Sequence, residues 1–290
     1  MKLVTYASIP SGKPRPGILL EDKRIAEASG FGSMLEIIQG GAAAMEKLKA
    51  LAANPGATVN LTDVKLLAPI PRPAKNVFCV GWNYLEHFEE GAKKLEEKRE
   101  LPTHPVFFSK AVTAVNDPTG TIPYDPAIST SLDWEVELGV IIGPGGKNIA
   151  EADAMKHVFG YTVINDVTWR DVQRRHGGQW HKGKSFDGTC PMGPCIVTAD
   201  ALDHTNLKVE CRVNGVVKQS SFTRHMYFKV PRLIAELSAG MTLEAGDVIS
   251  SGTPEGVGFA RTPPEFLKPG DLVETEIEGI GVLRNPIATA

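Results

Sequence analysis

A chain of 290 residues with 34 acidic and 31 basic side chains carries a formal net charge of -3, which gives no electrostatic reason to expect nucleic acid or an anionic membrane as a partner. No apolar run approaches the roughly 20 residues of a membrane span, and Met1-Lys2-Leu3-Val4-Thr5-Tyr6 lacks the apolar core of a signal peptide, so a cytoplasmic protein is expected. Cys79, Cys190, Cys195 and Cys211 show no CxxC spacing and sit mostly beside apolar residues, which excludes a zinc ribbon and points to buried thiols rather than disulfides.

Residues 1–70 read as a small α+β unit. Residues 1–6 and 16–20 have the character of short strands around a turn at Ser11-Gly12-Lys13, and residues 31–53 carry helical periodicity broken at Gly40-Gly41. Pro69, Pro71 and Pro73 then interrupt regular structure, because each lacks a backbone donor, and mark a boundary to a larger unit over residues 71–290.

That unit opens on a buried strand at 76–81 and runs into Trp82-Asn83-Tyr84-Leu85-Glu86-His87-Phe88-Glu89-Glu90. On a helical turn His87 and Glu90, at i and i+3, touch. A carboxylate beside an imidazole fixes its tautomer and suits it to act as a general base toward water. An isolated His-x-x-Glu is more often a surface pair, so spacing alone does not assign the role. Residues 91–100 are dense in Lys and Glu and read as a solvated helix or loop able to act as a lid.

Residues 105–110 form the next strand, and a turn at 116–120 leads back to Ser131-Leu132-Asp133-Trp134-Glu135-Val136-Glu137-Leu138-Gly139-Val140-Ile141-Ile142-Gly143. Here carboxylates alternate with apolar residues before an unbroken apolar run, the pattern of a strand with one polar face entering a buried sheet. Asp133, Glu135 and Glu137 then share a face at intervals of roughly 6.6 Å. A solvated edge strand is the competing reading, but Val140-Ile141-Ile142 continues into a core, where such a row of acids calls for a cation.

After a short helix over 150–158, the strand at 161–166 ends in Asp166, where apolar character stops. Glu135 and Glu137, with Asp166 or Asp133 as the third ligand, make an all-oxygen set that favours magnesium or manganese over zinc. Local sequence leaves that third position open.

Gly178-Gln179-Trp180-His181-Lys182-Gly183-Lys184-Ser185 matches the phosphate-loop pattern GxxxxGK[ST], but its context refuses it. A polar stretch precedes it, and Ser185-Phe186-Asp187-Gly188-Thr189-Cys190-Pro191 cannot propagate the helix whose N-terminus would hold the anion. His176 and His181 also lack the spacing of a zinc-protease helix. Arg170, Arg174, Arg175, Lys182 and Lys184 do follow closely on Asp166, and some are placed to neutralise a substrate carboxylate.

Downstream, residues 207–213 alternate strictly, Asn214-Gly215 signals a hairpin, and residues 230–237 read as a helix. Residues 243–250 and 267–274 each read as a turn feeding a strand. Between them, Ser251-Gly252-Thr253-Pro254-Glu255-Gly256-Val257-Gly258 has glycines that let backbone approach a ligand, although a plain surface loop is the commoner meaning of such a stretch.

Val80-Gly81-Trp82-Asn83-Tyr84 with His87 and Glu90, Asp133-Trp134-Glu135-Val136-Glu137-Leu138, Asn165-Asp166-Val167, Arg170-Asp171-Val172-Gln173, Gly183-Lys184-Ser185-Phe186-Asp187, Pro191-Met192-Gly193-Pro194 and the 252–258 stretch together resemble the fumarylacetoacetate hydrolase family, in order and spacing. The resemblance implies an α+β, mainly β fold: a mixed β-sheet roll or flattened barrel with a small N-terminal domain, usually a homodimer. It implies magnesium or manganese held by Glu135, Glu137 and Asp166. It makes His87, Glu90 and Lys184 catalytic, with Arg170, Gln173 and Thr253 at the substrate.

The activity implied is metal-dependent hydrolysis of a carbon–carbon bond in a 2,4-dioxo acid of the acylpyruvate or fumarylpyruvate kind, giving pyruvate and a carboxylic acid. Decarboxylation of an oxaloacetate-type acid and isomerisation of 2-hydroxydienoates use the same enolate chemistry and are the alternatives. A noncatalytic protein that binds a metal or small ligand is the reading from another class. Trp82 stands where relatives vary and are often Arg, and His181 lies beside Lys184; both bear on substrate side-chain preference.

Overall fold

In the computed structural model, residues 1–9, 12–96 and 100–290 are described; Ser11 of the expected turn and residues 97–99 of the expected lid lie outside them. Ten elements position the site: β1 (Lys2–Ser8), β2 (Val77–Gly81), α1 (Leu85–Lys94), β3 (Val106–Lys110), β4 (Val136–Ile142), β5 (Val158–Asn165), α2 (Arg170–Arg175), α3 (His181–Lys184), β6 (Cys190–Thr198) and β7 (Val248–Ser250). Strands β1-β6-β5-β4-β7-β2-β3 follow one another in a twelve-stranded mixed sheet, in which β1 bonds β6 and the short strands of residues 15–60 extend the edge beyond β1.

Every residue of β4 is buried, because the strand lies between β5 and β7 with apolar layers on both faces. Val136, Leu138, Val140 and Ile142 join one apolar cluster, while Ile141 joins a second one with Met34, Ile37 and Leu48 of the N-terminal helices. This accounts for the continuous apolar run at 140–142: a strand covered on both sides has no solvent face to spend polar residues on. A separate five-stranded sheet contains the expected hairpin, whose Asn214 (φ 50°) and Gly215 (φ 77°) take the left-handed conformations of a two-residue turn. The architecture is the mainly β, mixed-sheet one expected, and among the described residues the sheets remain open instead of closing into a barrel. No helix there is long and apolar enough to cross a membrane.

Two local expectations change. The segment 131–143 is two strands: Leu132–Asp133 pairs with Thr168–Trp169, whereas β4 begins only at Val136. The break follows from Asp133, whose Oδ1 accepts the next residue's N–H (Trp134, 2.8 Å), a local bond that competes with the strand ladder. The helix expected near 150–158 is a 3-10 helix over Glu151–His157. All four cysteines are buried free thiols.

A candidate metal centre and active site

The antiparallel register of β4 against β5 brings the first acids together. Val136 lies opposite Asn165, and the Asp166 N–H donates to the Glu135 carbonyl at 2.8 Å, so the acid that ends β5 sits beside those that start β4. Glu135, Glu137 and Asp166 are almost wholly buried, and one oxygen of each lies within 4.8 Å of the others. Oxygens gathered this closely are placed to share one hard divalent ion.

Charge explains why the cluster is tolerated and what it lacks. Lys184 Nζ donates to Glu135 Oε2 (2.6 Å) and Asp166 Oδ2 (2.7 Å). Lys110 Nζ sits 2.8 Å from Asp166 Oδ1 as an ion pair without hydrogen-bond alignment, and Arg170 Nη2 lies 2.7 Å from Glu135 Oε1. With Asp133 the buried set is four carboxylates against three cations. Burial by itself would push the Glu135 carboxyl up, but Lys184 and Arg170 outweigh it and hold it at about 2. Burial, then the charges of Asp166 and Glu135, push Glu137 well above the usual carboxylate range. The negative charge that ionised Glu137 would leave uncompensated, the oxygen-only donors and the poorly partnered Asp166 Oδ1 together fit a hard divalent ion.

Asp133, the rival third ligand, is turned away from this cluster. Its oxygens accept from Arg170 Nε (2.7 Å), Gly258 N (2.6 Å), Phe259 N (3.0 Å) and Trp134 N (2.8 Å). The strand break before β4 spoils the period-two alignment with Glu135 and Glu137.

His87 and Glu90 meet as their spacing on α1 requires: His87 Nδ1 is 2.8 Å from Glu90 Oε1. The other Glu90 oxygen accepts the Gly256 N–H at 2.9 Å, which ties the pair to the loop at 251–258. That loop is no free surface loop. Gly252 N (2.8 Å) and Ser250 Oγ (2.6 Å) both donate to Glu137 Oε2, and Gly252, at φ 98° with its missing Cβ directed at Asn83, holds a position that a side chain would not tolerate. Thr253 Oγ1 donates to the Val136 carbonyl (2.9 Å) and accepts from Gln219 Nε2 (2.8 Å), so its hydroxyl is engaged by the scaffold.

His87, Glu135, Glu137, Arg170, Gln173, Lys184 and Thr253 all line one cavity of about 640 Å³, and Glu90 stands behind His87. Gln173 Oε1 faces Arg170 Nη1 at 3.4 Å. Five aromatic residues, Trp82, Phe107, Phe108, Trp180 and Phe259, also line the cavity, together with aliphatic residues and Arg174. Lys184, the lysine of the phosphate-loop pattern, is buried between carboxylates at the end of the four-residue helix α3, which offers no anion site.

Sequence reading passed over three residues that organise the site. Lys110 is fully buried and also donates to the Val167 carbonyl at 2.9 Å. Asn83 Nδ2 holds the carbonyls of Ser251 (2.7 Å) and Phe228 (3.0 Å). Gln219 bridges the Val136 N–H to Thr253 and Pro254. Their partners are remote in sequence, so no local pattern gave them a role, although Asn83 stands in one of the motifs that carry the family resemblance.

Residues 76–288 match the model of the fumarylacetoacetate (FAA) hydrolase C-terminal family. The chain is 46% identical over 229 residues to the oxaloacetate tautomerase YisK of Bacillus subtilis, covering 79% of this chain and 74% of that protein. Among solved structures it is similar to a fumarylacetoacetate hydrolase from psychrophilic Exiguobacterium antarcticum (39% identity, TM-score 0.84, all of both chains). It is also similar to maleylpyruvate hydrolase from Sphingobium sp. SYK-6 in complex with manganese(II) and pyruvate (28% identity, TM-score 0.79, all of both chains). The family match over most of the chain, these relatives and the sheet architecture lead to one conclusion: the chain belongs to the fumarylacetoacetate hydrolase family.

Proposed function

We propose that the protein is a divalent-metal-dependent enzyme that moves a proton at the carbon next to the keto group of a small 2-oxo acid, interconverting keto and enol forms, with oxaloacetate as the first acid to test. The observation that carries this reading is a cavity lined by His87, whose partner is Glu90, and by the acids Glu135 and Glu137 of a cluster fit for a divalent ion, with Lys184 and Arg170 beside them. The relative YisK, named an oxaloacetate tautomerase, supports it.

Glu135, Glu137 and Asp166 would hold magnesium or manganese, which supplies Lewis acidity toward the substrate's keto and carboxylate oxygens. Everything else falls to the protein. Glu90 accepts a hydrogen bond from His87 Nδ1 at 2.8 Å and leaves Nε2 as the basic nitrogen, which takes a proton from the substrate carbon and delivers it to the keto oxygen to give the enol, the reverse order giving the keto form. Lys184 is raised against burial by Asp166 and Glu135, so it stays an ammonium and donates to oxygens, and it favours developing negative charge in the cavity. Arg170, fixed by Asp133, and its neighbour Gln173 orient the substrate's carboxylate.

Hydrolysis of an acylpyruvate remains a second reading, favoured by the same His87–Glu90 pair acting on water. The two separate in one assay with manganese, in which oxaloacetate enol decay and acylpyruvate cleavage are followed independently. Acceleration of enol decay without pyruvate release supports tautomerisation; pyruvate release from acylpyruvates with no effect on oxaloacetate overturns it.

A further inference from the structure

Building on the proton-transfer reading, we propose that the aromatic wall of the cavity is a subsite for an apolar or aromatic substituent on the substrate, so that the enzyme prefers 2-oxo acids carrying such a group to pyruvate or a short diacid. The wall is built, not incidental. Trp180 packs edge-on against Trp82 (ring centroids 5.0 Å apart, 76°) and Phe108 (5.2 Å, 65°), and Trp82 in turn meets Phe88 edge-on at 6.0 Å. Such edge-to-face contacts fix ring orientation. Trp82 sits at φ 56°, an uncommon conformation for a bulky residue, directly after β2. The glycine before it is required: a Cβ on Gly81 would come within 2.4 Å of the Trp180 ring.

The wall also adjoins Lys184. Trp180 is the residue from which α3 starts, its carbonyl accepting the Lys184 N–H at 3.2 Å, and the Phe108 ring lies 4.9 Å from Lys184 Nζ. A substrate whose carboxylate is oriented by Arg170 and Gln173 on the same cavity therefore has these rings within reach of its substituent. Trp82, Phe107, Phe108 and Trp180 are each only partly buried, though the core has room for tryptophan: Trp134 and Trp169 are almost wholly enclosed. Partly exposed rings around a cavity of about 640 Å³ gain from an apolar occupant that displaces water. Arg174, also on the cavity and 5.0 Å from the Phe259 ring, is the group to which a second carboxylate would turn instead.

Phenylpyruvate, oxaloacetate and pyruvate test the subsite, with binding to the manganese-loaded enzyme measured by calorimetry and enol–keto exchange followed by ultraviolet absorbance. Phenylpyruvate is expected to bind at least about tenfold more tightly than pyruvate and more tightly than oxaloacetate. Its advantage should vanish in Trp180→Ala and return in Trp180→Phe. Trp82→Ala provides a second variant, and thermal melts check that each is folded. Equal affinities for the three acids overturn the subsite, as does a preference for oxaloacetate that Arg174→Ala abolishes. Tight, Trp180-dependent binding of phenylpyruvate without exchange of any acid leaves the subsite standing and overturns the proton-transfer reading instead.

Discussion

Arg170 Nε donates to Asp133 Oδ2 at 2.7 Å, with both side chains withdrawn from solvent. Arg170 is thereby held between an acid outside the Glu135–Glu137–Asp166 cluster and Glu135 within it. Four donors converge on Asp133, three of them main-chain N–H groups around the break before β4 and in the loop after Val257.

Asp133→Ala leaves the buried Arg170 guanidinium with Glu135 alone and three N–H groups without an acceptor. Removal of one member of such a pair costs roughly 3–5 kcal/mol. Urea unfolding should show that loss, with manganese uptake still measurable at low denaturant; a variant as stable as the parent contradicts the role given to the pair.

His87→Ala removes the proposed base without touching the acid cluster. Turnover should fall about 100-fold or more, as for loss of a general base, while the affinity for manganese stays within about twofold. Glu90→Gln should fall less, because His87 remains. Parental turnover in His87→Ala excludes the dyad from the chemistry.

Lys184 is committed to Glu135 and Asp166, so ATP titrated into the protein should give no heat and no change in melting temperature. Lys184→Met should abolish turnover. ATP binding that disappears in this variant would instead support the phosphate-loop pattern at residues 178–185 as a nucleotide site.

His204 gives a pH signature of stability unrelated to catalysis. It stacks on Tyr161 with ring centroids 4.9 Å apart, and its Nδ1 is 2.9 Å from the tyrosine hydroxyl. Burial lowers its pKa below the ordinary 6.5, with Asp203 opposing weakly. The unfolded chain then binds the proton more readily, so stability is full above pH 6.5 and declines as pH falls from there toward the lower folded value. Melting temperatures between pH 7.5 and 5 should show this slope reduced in His204→Gln relative to the parent.

What could be read from sequence was what is local. The i,i+3 spacing of His87 and Glu90, the β4 core run and the Asn214-Gly215 turn each need only neighbouring residues. The period-two argument succeeded for Glu135 and Glu137 and failed for Asp133, because a single side-chain bond to Trp134 N breaks the strand. The neutralising cations could not be read in the same way. Lys110 finds Asp166 only through the sheet order, and Gln219 and Asn83 clasp a loop that local sequence cannot distinguish from solvent-exposed glycine-rich chain.

The central claim is that Glu135, Glu137 and Asp166 form a site for one hard dication. Calorimetric titration of the metal-stripped protein with manganese tests it directly, alongside Glu137→Gln, which keeps the side chain's shape and hydrogen-bonding oxygen but not its charge. The account predicts one ion per chain for the parent, with a melting temperature that rises as the ion saturates, and binding at least about 100-fold weaker in the variant. Uptake of manganese by the variant with parental affinity, or no uptake by the parent at millimolar metal, would contradict it.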